Sequence, residues 1–213
     1  MKHVDVAIIG GGVVGSATAY YLKKHGYGGS VTIFEQDTTY QFGCTGRSAG
    51  GIRQQFSTPE NIALSSFGLR LIRNLKQEFG EDADVSFREQ GYLILASPAG
   101  LPVITENHRL QIAHGADNVL LSGPELAARF HWLNPEGLAA GCFGLSGEGW
   151  VDPYSLMTLL RKAALVQGVQ LVPHAVGALD QGGGKLSSLV LANGDRIGCG
   201  HVVNADGTGA GAV

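Results

Sequence analysis

The chain has 213 residues, and its 15 basic and 18 acidic side chains give a formal net charge of −3. This near balance argues against a basic nucleic-acid-binding protein. Glycine is overrepresented, with 33 residues, about twice the average usage of ~7%. The three cysteines Cys44, Cys142 and Cys199 have no CxxC spacing, so neither a disulfide framework nor a zinc site is indicated.

The first 35 residues predict a βαβ unit. A β-branched run from Val4 to Ile9 predicts a buried strand that ends at a glycine cluster. Residues 13–25 suit a helix that Gly26 would end, and residues 31–35 predict a second strand. Two parallel strands joined by a helix require a right-handed crossover.

The rest of the chain predicts helices over residues 57–80, 101–114, 122–130 and 152–168. Ser57 or Thr58 is the expected N-cap of the first of these helices. Ser122 and Glu125 have the spacing of a capping box. Short strands are predicted around residues 85–87 and 91–96, and in a β-rich tail from residue 169 with a turn at Asn193-Gly194.

This order of elements predicts an α/β protein in which a mixed α+β segment, from about residue 80 to 150, interrupts a nucleotide-binding layer. The chain enters its first strand directly, without the features of a signal peptide. No apolar run approaches the ~18 residues of a membrane span. We therefore expect a cytoplasmic protein without a membrane span.

Gly10, Gly12 and Gly15 form a GxGxxG motif at the junction of the first strand and helix, and Glu35 follows at the end of the second strand. Gly10 would allow the tight turn, Gly12 would let the backbone approach a pyrophosphate, and Gly15 would let the helix pack closely. Glu35 can accept hydrogen bonds from an adenosine ribose and disfavours a 2′-phosphate. The motif predicts dinucleotide binding but does not distinguish NAD from FAD.

A second glycine-rich segment, residues 43–56, reads GCTGRSAGGIRQQF. Its small and hydroxyl residues would bring the backbone close to a flat ring, and Arg53 would offer hydrogen-bond donors. A surface loop with ordinary turn glycines is the alternative.

With these segments, the chain resembles the FAD-dependent oxidoreductases of the D-amino-acid oxidase superfamily, in the branch of sarcosine oxidase β-subunits, glycine oxidases and dimethylglycine dehydrogenases. The matching stretches are VDVAIIGGGVVGSATAYYL, TGRSAGGIRQQFS, GWVDPYSLMTLLRKAALVQGV, the strand around HAVGAL, and VVNADG. The resemblance implies a Rossmann-like FAD-binding domain from residues 1–80 and 150–213, with a substrate-domain portion inserted at residues 81–149. Because relatives are longer, the chain is expected to be a truncated member or a fragment, incomplete at its C-terminus.

The resemblance also implies that FAD binds in an extended form. Its contacts are expected at the residues of this chain that match the family's FAD-binding positions. The pyrophosphate would lie among Gly10, Gly12, Val14 and Gly15, and the ribose at Glu35. The segment beside the pyrophosphate and flavin would supply Thr45, Arg47, Ser48, Ala49, Gly50 and Gly51. The adenine would meet the backbone of Val176, and the turn that closes over the cofactor would contain Ala205 and Gly207.

Some relatives attach flavin covalently through a histidine in the glycine-rich segment after the second strand. This chain has Cys44 and Arg47 there and no histidine, so non-covalent FAD is expected. Attachment at Cys44 stays open, although a small buried cysteine is favoured. The scattered histidines match no metal-ligand spacing, so no metal site is predicted.

The implied reaction is oxidation of a small amine or amino acid, such as sarcosine or glycine, by hydride transfer from the α-carbon to flavin N5. Arg53 is the candidate catalytic-site residue because a guanidinium fork suits a substrate carboxylate; an arginine facing pyrophosphate or a neighbouring acid is an equal alternative. Oxygen or a redox partner would accept the electrons, and an oligomer is compatible with the sequence. Two other functions stay open, namely an FAD-dependent 2-hydroxy-acid or glycerol-phosphate dehydrogenase and a non-catalytic dinucleotide-binding remnant.

Overall fold

A computed structural model describes residues 3–182 and 185–213. The chain forms two compact units, one from the residues up to Ser48 together with Pro153–Val213, and one from Ala49–Asp152. The division after Ser48 differs from the sequence-based boundary at residue 80. The helix that begins at Pro59 belongs to the second unit, whereas the sequence-based boundary placed it with the βαβ unit.

The helices of the described residues are named in chain order. They are α1 (Val13–Lys24), α2 (Pro59–Arg73), α3 (Leu75–Phe79), α4 (Leu101–Ala113), α5 (Gly123–Arg129) and α6 (Pro153–Val166). Short 3₁₀ turns cover Pro98–Gly100 and Gly207–Ala212. Among the described helices, none combines the length and the apolar character that a membrane crossing requires.

The strands are named in the same way. They are β1 (His3–Ile9), β2 (Val31–Phe34), β3 (Gly51–Ile52), β4 (Arg88–Glu89), β5 (Leu93–Ala96), β6 (Asn118–Ser122), β7 (Ala140–Gly144), β8 (Gly149–Trp150), β9 (Gln170–Val172), β10 (Val176–Gly182), β11 (Lys185–Leu191) and β12 (Arg196–Asn204).

The first unit contains a six-stranded sheet in the order β10-β11-β12-β1-β2-β9. β12, β1, β2 and β9 are parallel neighbours, whereas β10, β11 and β12 form an antiparallel meander. Residues Val6–Ile9 of β1 are all buried, as expected for a central parallel strand covered on both faces. β1 lies between β2 and the last strand of the chain, so the strand order reverses there, and ligands of such sheets bind at this reversal.

The second unit contains two three-stranded sheets, β3-β8-β4 and β5-β7-β6. All pairs in both sheets are antiparallel. The helix α4 packs against β6 and β7, and Ile104 of α4 joins Ala96, Ala140 and Cys142 in one buried cluster.

The α/β class and the βαβ unit are confirmed, as is the capping box, in which Glu125 accepts a hydrogen bond from the Ser122 backbone N–H at 2.7 Å. The helix predicted over residues 57–80 is interrupted at Asn74, whose side-chain amide donates to the Arg70 carbonyl at 2.7 Å. The prediction of strand at residues 85–87 was wrong, since β4 begins at Arg88.

Candidate cofactor site

A tight turn at Gly10 connects β1 to α1. Gly10 has a φ of +90°, which side-chain-bearing residues rarely adopt, and its N–H donates to the Phe34 carbonyl at 2.8 Å. A Cβ atom at this position would lie 2.5 Å from the carbonyl oxygen of Ala205. The Ala205 N–H in turn donates to the Ile9 carbonyl at 2.8 Å. The structure therefore brings the first turn of the motif directly against the turn after β12.

The N-terminus of α1 lacks a side-chain cap from its own N-cap residue, Gly12. The Val13 N–H donates to Oγ1 of Thr45 at 3.0 Å, while the N–H groups of Gly12 and Val14 have no acceptor within residues 3–182 and 185–213. The Val14 side chain is 62% exposed. Unpaired N–H groups at the positive end of a helix dipole suit an anion such as a pyrophosphate.

The close packing of this turn also depends on Gly15. A Cβ atom there would overlap the Gly10 carbonyl oxygen. The next residue, Ser16, is fully buried and its hydroxyl donates to the Gly11 carbonyl at 2.8 Å. The first turn of α1 is therefore packed against the loop of residues 10–12, the glycine loop.

The carboxylate of Glu35 is oriented by two backbone donors. Oε2 accepts from the Gly11 N–H at 2.7 Å, and Oε1 accepts from the Asp37 N–H at 2.8 Å. An ionised carboxylate has about four acceptor positions, so these two bonds leave capacity for a ribose hydroxyl. The carboxylate is thus tied to the glycine loop itself, a contact that the motif spacing did not reveal.

Tyr40 lies next to the same loop and was not singled out from the sequence. Its side chain is buried, and a Cβ atom on Gly11 would lie 2.6 Å from its hydroxyl oxygen. The guanidinium carbon of Arg161 in α6 lies 4.6 Å from the centre of its ring. Burial raises the pKa of Tyr40. Nothing in the local pattern of residues 36–43 indicates this packing, which depends on the distant helix α6.

The loop after β2 supplies Thr45, Arg47 and Ser48. The Thr45 hydroxyl already contacts α1, and the same hydroxyl can donate to an incoming phosphate oxygen. Arg47 is exposed, with its guanidinium carbon 5.2 Å from the Phe42 ring centre. Ser48 is also exposed, and its N–H donates to the Thr45 carbonyl at 3.1 Å.

The turn after β12 meets this loop. The prediction of a buried cysteine at position 44 was wrong, because Cys44 lies on the exposed loop after β2. Its Sγ lies 3.9 Å from the Thr208 hydroxyl. In the turn itself, burial raises the pKa of Asp206, which follows Ala205. Val176, the predicted adenine contact, begins β10 and is buried in the hydrophobic core of the first unit.

The remaining predicted residues lie in the second unit. Ala49 is exposed, the Gly50 carbonyl accepts from the Val151 N–H at 2.9 Å, and Gly51 pairs with Trp150. The Tyr92 hydroxyl lies where a side chain on Gly51 would project.

Arg53 is exposed, and its guanidinium carbon lies 5.0 Å from the Phe56 ring centre. It borders a cavity of about 330 Å³, lined also by Phe56, Asn61 and Leu64 among others. In the described part of the chain, no carboxylate forms an ion pair with Arg53. Its charge is therefore available to a ligand.

The first unit thus brings together the glycine motif, Glu35, Thr45 and the turn at Ala205 and Gly207. These groups fit the adenosine and pyrophosphate parts of a dinucleotide. The described residues contain no cluster of three or more His, Cys, Asp or Glu side chains that could hold a metal ion.

Comparison with known proteins identifies a family and individual relatives that match most of this chain. The family described as "DAO: FAD dependent oxidoreductase" matches residues 5–213. The FAD-dependent oxidoreductase domain-containing protein 1 homolog of Drosophila melanogaster is 42% identical over 175 residues, which are 82% of this chain and 34% of that protein. The mitochondrial sarcosine dehydrogenase of Mus musculus is 28% identical over 174 residues, or 80% of this chain and 18% of that protein.

Among solved structures, the L-proline dehydrogenase from P. horikoshii superimposes with a TM-score of 0.82 at 26% identity, covering 99% of this chain and 54% of that chain. The chain therefore spans about a third or less of the two curated relatives and about half of this solved chain.

Proposed function

This chain belongs to the DAO family of FAD-dependent oxidoreductases, and from that membership we propose that the protein oxidises a small amine or amino acid of the sarcosine and glycine type. The proposal rests on the family match over residues 5–213. This match includes the glycine motif and residues 43–56, the Arg53 segment. Relatives named as sarcosine dehydrogenase and L-proline dehydrogenase support this substrate class.

FAD is the cofactor of the family, and the first unit offers groups that fit its adenosine diphosphate half. The N–H groups at the start of α1 would bind the pyrophosphate, and the Thr45 hydroxyl would add a donor to it. Glu35 would hold the ribose while remaining bonded to the Gly11 N–H. Non-covalent attachment is part of the proposal, since residues 43–56 contain no histidine.

Bound FAD would supply the redox chemistry by accepting a hydride from the substrate carbon. The chain's own contribution is to bind and orient. Arg53 would bind the substrate carboxylate through two parallel N–H···O bonds, and the adjoining cavity of about 330 Å³ has the volume to accept a small side chain. Arg53 is exposed and lacks an acidic partner in the described residues, which favours this role over a structural ion pair.

The test compares Arg53→Gln and Arg53→Lys in the FAD-loaded protein with sarcosine and with dimethylamine, which lacks the carboxylate. Loss of a bidentate charged contact should raise KM for sarcosine by about 10- to 100-fold, with less effect for lysine, and should leave dimethylamine unaffected. Equal effects on both amines would contradict a carboxylate-binding role.

Oxidation of glycolate or glycerol 3-phosphate in place of any amine would instead support the hydroxy-acid dehydrogenase. Failure to oxidise either class, with FAD bound, would support the non-catalytic remnant.

A further inference from the structure

Glu148 is a buried carboxylate in the second unit, immediately before β8. Its relative exposure is 1%. It accepts hydrogen bonds from the backbone N–H groups of Gln54 at 2.6 Å, Gln55 at 3.1 Å and Tyr92 at 3.2 Å, and from the Gln55 side-chain amide at 2.8 Å. Among the described residues it has no cationic partner. Four N–H donors therefore compensate for the burial of this charge.

Two of these donors are consecutive backbone N–H groups that converge on the single oxygen Oε1 of Glu148. Consecutive amides can converge on one acceptor where the backbone turns, as in the concave sites that bind anions. The curvature is closed by a further bond from the Phe56 N–H to the Gln54 carbonyl at 2.8 Å. The carboxylate thus sets the path of the chain at residues 54–56.

Arg53 lies directly between this curved segment and β3. On its N-terminal side, Ile52 pairs with Gly149 of β8, the neighbour of Glu148. At Arg53 itself, the backbone carbonyl accepts from the Ser65 hydroxyl of α2. On its C-terminal side, Glu148 binds the N–H of Gln54. The direction in which the Arg53 side chain leaves the backbone is therefore fixed from both sides by residues 148 and 149.

The carboxylate of Glu148 occupies the space beside Gly144 of β7. A Cβ atom on Gly144 would overlap Oε2 of Glu148. Cys142, two residues earlier in β7, is buried, and its pKa is raised to about 12 by burial and, second, by the charge of Glu148. The lack of a side chain at Gly144 thus makes room for the carboxylate.

We propose that Glu148 is a positioning residue that aims Arg53 at the carboxylate of the bound substrate, by anchoring the backbone on the C-terminal side of Arg53. The inference rests on the proposed function, because it assumes that Arg53 binds that carboxylate. Glu148 itself touches neither substrate nor cofactor. Its removal should weaken carboxylate recognition without weakening FAD binding.

The experiment measures binding of acetate and its uncharged isostere acetamide to the FAD-loaded protein by calorimetry, for Glu148→Gln, Arg53→Gln and the double variant. A glutamine offers one acceptor oxygen instead of two and cannot satisfy all four donors. The Kd for acetate should rise about tenfold in Glu148→Gln, with acetamide and FAD affinities unchanged. Glu106→Gln on the exposed face of α4 is the matched control and should change none of these values.

The double variant should bind acetate no more weakly than Arg53→Gln alone, since both changes remove the same contact. If Arg53→Gln weakens acetate binding and Glu148→Gln does not, or if their effects add, the role of Glu148 is refuted while the proposed function stands. If Arg53→Gln itself leaves acetate binding unchanged, the carboxylate-binding role of Arg53 fails, and the role of Glu148 fails with it. Should Glu148→Gln not fold, Glu148→Asp keeps the charge but withdraws it by one methylene; unchanged acetate binding in that variant refutes the proposal.

Discussion

Replacing Gly10 with alanine tests how tightly the two turns at the cofactor site close against each other. The φ of +90° costs a non-glycine residue about 1–2 kcal/mol. In addition, the new methyl group would lie 2.5 Å from the Ala205 carbonyl oxygen, and overpacking of this kind costs about 1–3 kcal/mol. The carbonyl belongs to the backbone, so relief requires loosening the Ala205 N–H bond to Ile9. The free energy of unfolding should therefore fall by about 2–5 kcal/mol.

Gly26→Ala separates the cost of the positive φ from the cost of overpacking. Gly26 has a similar φ of +82°, and an added methyl group would meet nothing within 4 Å. This control should lose only the conformational part, about 1–2 kcal/mol. Urea unfolding followed by circular dichroism measures both variants, and FAD titration should show weaker binding for Gly10→Ala alone. Equal losses of stability in the two variants, with equal FAD affinity, would refute the closure inferred between Gly10 and Ala205.

Three further changes test separate parts of the structure. Gly12→Ala places a methyl group 3.1 Å from the Thr45 hydroxyl, so we expect a stability change under about 1 kcal/mol but clearly weaker FAD binding in a fluorescence titration; unchanged affinity would argue against pyrophosphate at this turn. Ser122→Ala removes the capping box of α5 and should cost about 1 kcal/mol in urea unfolding, whereas Ser187→Ala, an exposed hydroxyl in β11, should cost less. Because burial raises the pKa of Cys142 from 9.0 to about 12, the unfolded chain loses this proton first as pH rises. Stability should therefore be full below pH 9 and fall toward pH 12, and Cys142→Ala should flatten that fall; an identical alkaline slope in the variant would contradict the pKa shift.

The sequence predicts those elements whose local residue pattern also meets the packing requirements of the folded protein. The β1-α1-β2 unit is such a case, because the same glycines that end β1 also allow α1 to pack at Gly15. The strands β6, β7 and β8 were not predicted. β7 reads AGCFG, and small residues there carry no alternating pattern. This strand is central because β5 and β6 pair with it on both sides, a fact that depends on long-range pairing.

The candidate site also contains residues that the sequence predicts and residues that it does not. The roles assigned to Gly10, Gly12, Gly15 and Glu35 follow from spacing within one motif, and these residues do come together. Glu148 is separated from Gln54 by 94 residues, and no local pattern connects them. A buried acid in the stretch SGEGWVDP looks like a turn residue until the tertiary structure brings the Arg53 segment to it.

The proposed function requires that the protein binds FAD and transfers electrons to it from a small amine. An anaerobic titration tests both steps in the FAD-loaded protein. The amines are sarcosine, glycine, N,N-dimethylglycine and L-proline, and the contrasting substrates are glycolate and glycerol 3-phosphate. We predict that the visible flavin absorbance is bleached by at least one of the amines and by neither hydroxy compound. The proposed function is wrong if the protein does not retain FAD, or if its flavin is reduced only by a hydroxy compound.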